Sequence, residues 1–227
     1  MIDALHLAPE RVARAYSRRS RIYARTVARW ERPHHEVALR AARVQPGERV
    51  LEVAVGPGLS LVDLARAAGP EAPVSGVDLS PGMLDLARNR LTAAGLTDAH
   101  LQLADAGHLP FPDAGFDVLY NAYLLDLIPD HDIPAVLAEF HRVLAPGGRI
   151  VLLNMSKPDT TTRTIRERAY HRLPSSVVLY LLGGCRPVLV ADLTTAAGFV
   201  DVERTYLSHG MPSEIVTARR RAGRGTC

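Results

Sequence analysis

Residues 50–58 read Val-Leu-Glu-Val-Ala-Val-Gly-Pro-Gly, an apolar, mostly β-branched run that carries one acid, Glu52, and ends in two glycines. Such a run is typical of a buried strand, and the glycines predict a tight turn before the helical pattern that follows. A second apolar run, 74–77, ends in Asp78, twenty residues past Gly58. A glycine turn lets a ligand approach the backbone, and an acid at the tip of the next strand can hydrogen-bond a ribose. The pattern therefore predicts a nucleoside-binding α/β protein.

Length and composition favour one globular domain. The 227 residues are 22% charged and 47% hydrophobic with a net charge of +3, which is ordinary for a globular protein and predicts no nucleic-acid partner. No apolar run reaches the roughly 18 residues of a transmembrane helix, and residues 1–10 lack the pattern of a signal peptide. The two cysteines, Cys185 and Cys227, lack metal-ligand spacing. We therefore expect a cytoplasmic protein without a metal or disulfides.

The first 35 residues are interpreted as a separate helical extension. Arginines surround an apolar stripe at helical spacing that includes Tyr16, Tyr23 and Trp30, and Pro33 is expected to end the segment. The plain interpretation is a helix that docks on the core. Two functional roles stay open beside it: a lid that closes over the ligand, or a basic helix that contacts an anionic membrane surface peripherally.

Strand and helix patterns alternate through the rest of the chain, which is typical of a parallel sheet covered on both faces. The final two apolar runs predict an antiparallel pair that closes one edge of the sheet. We therefore expect a Rossmann-like, doubly wound, seven-stranded sheet, mostly parallel with an antiparallel final strand, in a domain spanning 36–218, followed by a frayed basic tail at 219–227. Strands are predicted near 50–55, 74–78, 100–104, 116–122, 149–155, 200–207 and 214–218, and helices near 34–44, 59–68, 81–94, 132–144 and 190–197.

The spacing of the glycines limits which nucleoside this turn can serve. A dinucleotide fingerprint needs a third glycine three residues after Gly58, and that position is Leu61. A P-loop needs Gly-Lys-Ser or Gly-Lys-Thr, and the sequence contains neither. A tight strand-to-helix connection without any ligand stays open on the glycines alone.

Five motifs in order resemble the class I methyltransferases that use S-adenosylmethionine (SAM). They are the acid-and-glycine stretch from Glu52 to Gly58, Asp78, Asp105 with Ala106, the turn that begins at Leu109, and the Pro-Gly-Gly turn at 146–148. The resemblance covers about 35–155 and implies SAM as cofactor, with S-adenosylhomocysteine as product. It further implies these cofactor-binding residues: Glu52, Val53, Ala54, Gly56, Gly58, Asp78, Leu79, Met83, Asp105, Ala106 and Asn121.

Two departures from the family pattern fall inside the glycine turn. Ala54 replaces the first glycine, so a methyl group is expected to narrow the space beside the methionine tail of SAM. Pro57 has no amide N–H, so we expect Gly56 and Gly58 to donate to the carboxylate of the cofactor instead.

The acceptor is expected beyond the fourth strand. Tyr123 is the candidate for contacting the acceptor and the sulfonium, and Tyr16 and Tyr23 are further candidates for substrate binding. Candidate bases are Asp126 and His131, with a helix cap and a solvated loop residue as the respective structural alternatives.

Within the family, the chain resembles the ubiquinone/menaquinone-biosynthesis C-methyltransferases. Tyr16, Tyr23 and the stretch 151–158, Val-Leu-Leu-Asn-Met-Ser-Lys-Pro, carry this resemblance. It implies C- or O-methylation of a small hydroquinone-like or phenol-like acceptor. The alternatives are a phospholipid N-methyltransferase, which acts on a lipid acceptor, and a SAM-binding protein without catalytic activity.

Overall fold

The structure, a computed structural model, describes residues 31–158 and 185–223. Seven strands form one sheet in the order β3-β2-β1-β4-β5-β7-β6. The strands are β1 (Val50–Val53), β2 (Ser75–Asp78), β3 (His100–Leu103), β4 (Phe116–Ala122), β5 (Leu144–Met155), β6 (Phe199–Leu207) and β7 (Ser213–Arg220). The helices are α1 (31–42 within the described residues), α2 (Leu59–Ala68), α3 (Pro81–Ala93), α4 (Ile133–Val143) and α5 (Ala191–Ala196).

The sheet confirms the predicted fold. The first five strands pair in parallel, and β7 pairs antiparallel with both β5 and β6. Strand order reverses at β1, because β2 lies on one side of it and β4 on the other. Ligands of open α/β sheets bind outside the carboxyl ends of the strands at such a switch point.

Both faces of the sheet are buried, which explains the continuous apolar runs of the central strands. Along β1, Val50 packs in the cluster that includes residues of α1 and α2, while Leu51 and Val53 pack in the cluster that includes residues of α4. The alternation follows from the two-residue period of a strand. Packing on both faces holds β1 in one orientation, with the glycine turn at the switch point.

Several boundaries differ from those expected. β7 runs to Arg220, so the first two residues of the predicted frayed tail are paired in the sheet. α1 runs through Pro33 without a break within the described residues; the completely buried Ala38 and Ala42 anchor it on the core, and such packing stabilises a helix more than propensity does. β5 begins at Leu144 instead of 149, since the Pro-Gly-Gly stretch forms a pairing irregularity opposite β4.

Residues 1–30, including Tyr16 and Tyr23, and the tail from 224 lie outside the described residues. Within the described part of the chain, no helix is long and apolar enough to cross a membrane.

Candidate active site

The turn after β1 has the backbone that its glycines predict. Gly56 and Gly58 have φ values of +52° and +75°, in the left-handed region that glycine adopts at little cost. Ala54, at the position of the missing glycine, has a φ of +59°. An alanine in that region is strained by about 1 kcal/mol or more, so the departure from the family pattern falls where the backbone favours glycine.

The amides of this turn are engaged within the protein. Gly56 donates its N–H to Oδ2 of Asp78 at 2.9 Å, and Gly58 donates to the carbonyl of Val55 at 2.9 Å. The expectation that both amides point to a cofactor carboxylate is therefore wrong for this structure: Pro57 offers no donor, and the flanking donors already have acceptors.

Asp78 fixes the distance between the turn and α3. Besides the bond from Gly56, its Oδ1 accepts the N–H of Ser80 at 2.8 Å, and Ser80 caps α3 by accepting from the N–H of Met83. Burial raises the pKa of Asp78, while the backbone bonds oppose that rise. One carboxylate at the tip of β2 thus holds both segments that flank the switch point.

A cavity of about 120 Å³ lies at this switch point, between α1, the glycine turn and the end of β4. Three carboxylates line it, Glu31, Glu52 and Asp78, and no arginine or lysine of the described residues does so. An acidic, partly apolar wall suits a ligand that carries positive charge. The remaining lining residues are His35, Ala54, Val55, Gly56, Pro57, Leu59, Ser60, Met83, Ala122, Tyr123 and Leu127.

Glu52 is buried at the back of this cavity. Burial and the nearby charge of Asp78 raise the pKa of Glu52 well above its usual value, and a hydrogen bond with Ser60 opposes the rise. Its Oε2 has no hydrogen-bond partner among the described residues. A buried carboxylate oxygen without a partner is costly, so this atom fits a ligand that donates hydrogen bonds or carries positive charge.

A side-chain network links α1 to the sheet behind Glu52. Nδ1 of His35 lies 2.6 Å from Oγ of Ser60 and 3.0 Å from the hydroxyl of Tyr120. Burial, with a smaller effect of His34, lowers the pKa of His35 to about 4, so the ring is neutral at physiological pH. Sequence reasoning missed Glu31, His35 and Ser60. The first two lie where a helix docked on the core was the plain interpretation, and nothing in the local sequence showed that their side chains face a cavity.

The other residues predicted for the cofactor separate into three groups. Met83 lines the cavity beside Asp78, and Leu79 is exposed next to it. Asp105, with Ala106 beside it, is outside the cavity wall; its Oδ1 accepts the N–H of Gly107. The Asn121 amide is buried and donates to the carbonyl of Val53 at 2.8 Å, so it cross-links β4 and β1.

The residues predicted for the acceptor are not brought together. Tyr123 lines the cavity with a φ of +54°, and its hydroxyl is 3.3 Å from Oγ of Ser213. Asp126 is completely buried away from the cavity wall and accepts the N–H of Met155 at 2.8 Å, so it is not a helix cap. The structure does not support His131 as a base. Its side chain is 75% exposed and lies 3.5 Å from Asp132, so it is a solvated loop residue.

Burial raises the pKa of Asp126 to about 7, which predicts a pH-dependent stability. The folded protein then holds a proton on Asp126 that the unfolded chain releases near pH 4. Stability from this group is complete below the unfolded pKa and falls as the pH rises toward 7. We expect Asp126→Asn to flatten the decline of the unfolding free energy between pH 5 and 8, measured by urea titration. An unchanged pH slope would contradict this, and Asp85→Asn, at an exposed site, is the control.

Within residues 31–158 and 185–223, no group of three or more histidine, cysteine, aspartate or glutamate side chains is placed to hold a metal ion.

Known proteins with similar sequences identify the family. Residues 50–148 match the family described as "Methyltransferase domain". Over 224 residues the chain is 33% identical to the demethylmenaquinone methyltransferase of Symbiobacterium thermophilum, covering 87% of this chain and 86% of that protein. It is 40% identical over 141 residues to the ubiquinone/menaquinone biosynthesis C-methyltransferase UbiE of Teredinibacter turnerae, covering 62% of this chain and 54% of that protein.

Solved structures show the same fold. A SAM-dependent methyltransferase from Aquifex aeolicus superposes with a TM-score of 0.59 at 20% identity, covering 82% of this chain and 89% of that one. The (4+2)-cyclase SpnF superposes with a TM-score of 0.68 at 20% identity, covering 84% and 82%. Because a cyclase has this fold too, the fold shows the architecture of the chain and not its activity.

The chain belongs to the class I SAM-dependent methyltransferases. Within that class it is a member of the group that contains the demethylmenaquinone and ubiquinone/menaquinone-biosynthesis C-methyltransferases. It is therefore an enzyme, its cofactor is SAM, and its acceptor is a small molecule.

Proposed function

We propose that this protein transfers the methyl group of SAM to a ring carbon of a hydroquinone-type acceptor. The likeness to a demethylmenaquinone methyltransferase, over 87% of this chain, carries the proposal, and the acid-lined cavity at the switch point supports it. Both relatives are named for quinone substrates, which favours this acceptor over the phospholipid amine of the alternative prediction.

The described residues fit a cationic nucleoside cofactor. Bound SAM supplies an activated methyl group on a sulfonium, so the chain has to orient the reactants, exclude water and handle a proton. Asp78 would hold the ribose hydroxyls, with Leu79 and Met83 beside the base. Glu52, whose Oε2 has no partner among the described residues, would face the ammonium group. Gly56 and Ala54 would line the path of the methionine tail, with Val53 behind them.

Four of the predicted residues have supporting roles in this proposal. Asn121 would hold the ends of β1 and β4 at a fixed distance through its bond to Val53. Gly58 would position α2. Asp105 and Ala106 follow β3, outside the cavity wall, where they could meet only the outer edge of the adenine.

Tyr123 would separate the cofactor from the acceptor. Its ring is 5.8 Å from the ring of His35 in an edge-to-face arrangement, and burial raises the pKa of its hydroxyl. It therefore stays neutral and offers a ring face rather than a phenolate to the sulfonium, which suits a cation–π contact.

A screen of methyl acceptors tests the proposed function. Purified protein would be incubated with SAM and with hydroquinones, phenols, amines and phosphatidylethanolamine, and S-adenosylhomocysteine would be measured. We expect turnover with hydroquinones, with the new methyl group on carbon when the product is analysed by NMR. Transfer only to amines, or cofactor binding without turnover on any acceptor, would refute the proposal.

The roles predicted for the N-terminal extension are not tested by the described residues. Peripheral membrane contact through the basic helix, a lid formed by residues 1–35 with Tyr16 and Tyr23, and a cytoplasmic location stay predictions. The lid prediction is favoured by Glu31 and His35, which lie at the end of that extension and line the cavity. A quinone-type acceptor with an apolar tail would reside in a membrane, so a helix that contacts the membrane surface would bring the enzyme close to it.

A further inference from the structure

Glu31 lines the cavity at the switch point from the side made by α1. It is only 4% exposed and lines the cavity together with His35, Tyr123 and Leu127. Glu31 and His35 are four residues apart on α1 and therefore share one helix face. The other two carboxylates of the cavity, Glu52 and Asp78, belong to the wall made by β1 and β2.

The charge of Glu31 acts on the groups at the end of β4. After burial, which is the main cause, Glu31 raises the pKa of Tyr123 more than Asp126 does. It also contributes to the raised pKa of the Cys185 thiol, behind burial and Asp126. Glu31 therefore lies close enough to Tyr123 and Cys185 for its charge to act on both.

The other candidate bases are worse placed. One oxygen of Asp126 is held by the N–H of Met155, and this side chain is not part of the cavity wall. His131 is solvated. Burial lowers the pKa of His35 to about 4, so its ring is a weak base. Besides Glu31, the titratable groups around this end of the cavity are His35, Glu52, Asp78, Tyr120, Tyr123, Asp126 and Cys185.

We propose, on the basis of the proposed function, that Glu31 is the catalytic base that receives the hydroxyl proton of the acceptor. The O–H electron pair then makes the ring electron-rich, and an adjacent ring carbon forms the new C–C bond to the methyl group. The C–S bond breaks, and its electron pair stays on sulfur as S-adenosylhomocysteine. Glu31 returns its proton to the ring oxygen while the ring C–H proton leaves to water, so one proton is released per turnover.

Glu31→Gln in the full chain tests this assignment, with Glu36→Gln as the matched control. Glu36 lies on the same helix, exposed and paired with Arg32. We expect Glu31→Gln to lower kcat on a hydroquinone by about 10²- to 10⁴-fold, the usual contribution of a positioned base. Calorimetry should show hydroquinone binding in the presence of S-adenosylhomocysteine, which lacks the sulfonium charge, within threefold of wild type. Glu36→Gln should behave as wild type.

Acceptor acidity separates a base from a structural residue. The defect of Glu31→Gln should shrink with fluorinated hydroquinones, which ionise more readily, and at a pH where the acceptor is already ionised; Glu31→Asp should recover part of kcat. A defect that is the same for all acceptors, or a tenfold or greater loss of acceptor binding, would overturn the assignment. If the wild-type protein turns over no hydroquinone, the proposed function is refuted and the base assignment with it. If the wild-type protein and Glu31→Gln are equally active, only the base assignment is refuted.

Discussion

Asp78→Asn is expected to weaken SAM binding by about 100-fold or more. A carboxylate that accepts hydrogen bonds from two ribose hydroxyls contributes about 1.5–3 kcal/mol for each charge-assisted bond, and about 3 kcal/mol corresponds to two orders of magnitude in Kd. Asparagine has a single carbonyl oxygen and would turn an N–H₂ group toward either the cofactor or the backbone. Titration calorimetry with SAM measures the change directly.

The same substitution also disturbs the protein itself, so the control has to separate the two effects. Asp78 accepts the N–H groups of Gly56 and Ser80, and asparagine can accept only one of them. Urea unfolding of Asp78→Asn should therefore show a loss of about 1–3 kcal/mol. Asp85→Asn, on the exposed face of α3, should change neither quantity by a measurable amount. A Kd within threefold of wild type for Asp78→Asn would refute the role of Asp78 in ribose binding.

The sheet could be predicted because each of its signals is local. The apolar run from Val50 and the Ser80-Pro81 helix start depend on residues that are neighbours in the chain, and the structure places β1 and α3 within one or two residues of the expected bounds. The start of β5 could not be predicted, because Gly147 and Gly148 indicate a turn in isolation. Pairing with β4 continues to Leu144 across that stretch, which is a property of the neighbouring strand.

The cavity wall was predictable on the side made by the glycine turn and at the end of β4, where Tyr123 lies, but not on the side made by α1. Gly56 and Asp78 follow from the order of the strands, and Glu52 and Met83 were implied by the resemblance to the family. Glu31 reaches the cavity because α1 packs on the sheet through Ala38 and Ala42, and nothing in its local sequence distinguishes it from the charged residues around it. Asp126 shows the opposite case: its position beyond β4 suggested an acceptor contact, but its side chain turns inward to the N–H of Met155.

Gly58→Ala is expected to reduce the unfolding free energy by about 2–5 kcal/mol, because two costs add. The left-handed backbone costs alanine about 1–2 kcal/mol, and overpacking costs about 1–3 kcal/mol. The overpacking follows from α3, since a Cβ at Gly58 would lie 2.9 Å from Cα and 3.0 Å from Cβ of Ala87. The loss is a large fraction of the 5–15 kcal/mol typical of a domain, and urea unfolding measures it. Gly95→Ala, with a φ of +72° and no atom within 4 Å of the added Cβ, isolates the backbone cost and should lose only about 1–2 kcal/mol.

Gly56→Ala should show the complementary effect and thereby separate the two glycines of the turn. A Cβ at Gly56 meets nothing within 4 Å in the protein, and Gly56 lines the cavity whereas Gly58 does not. Alanine at 56 should therefore cost only the backbone strain in stability but weaken SAM binding at least tenfold, measured by calorimetry. Gly58→Ala, at a temperature where it is folded, should bind SAM within a few-fold of wild type. If both variants lost stability and affinity in equal proportion, the division between a glycine that lines the cavity and a glycine that packs α3 would be wrong.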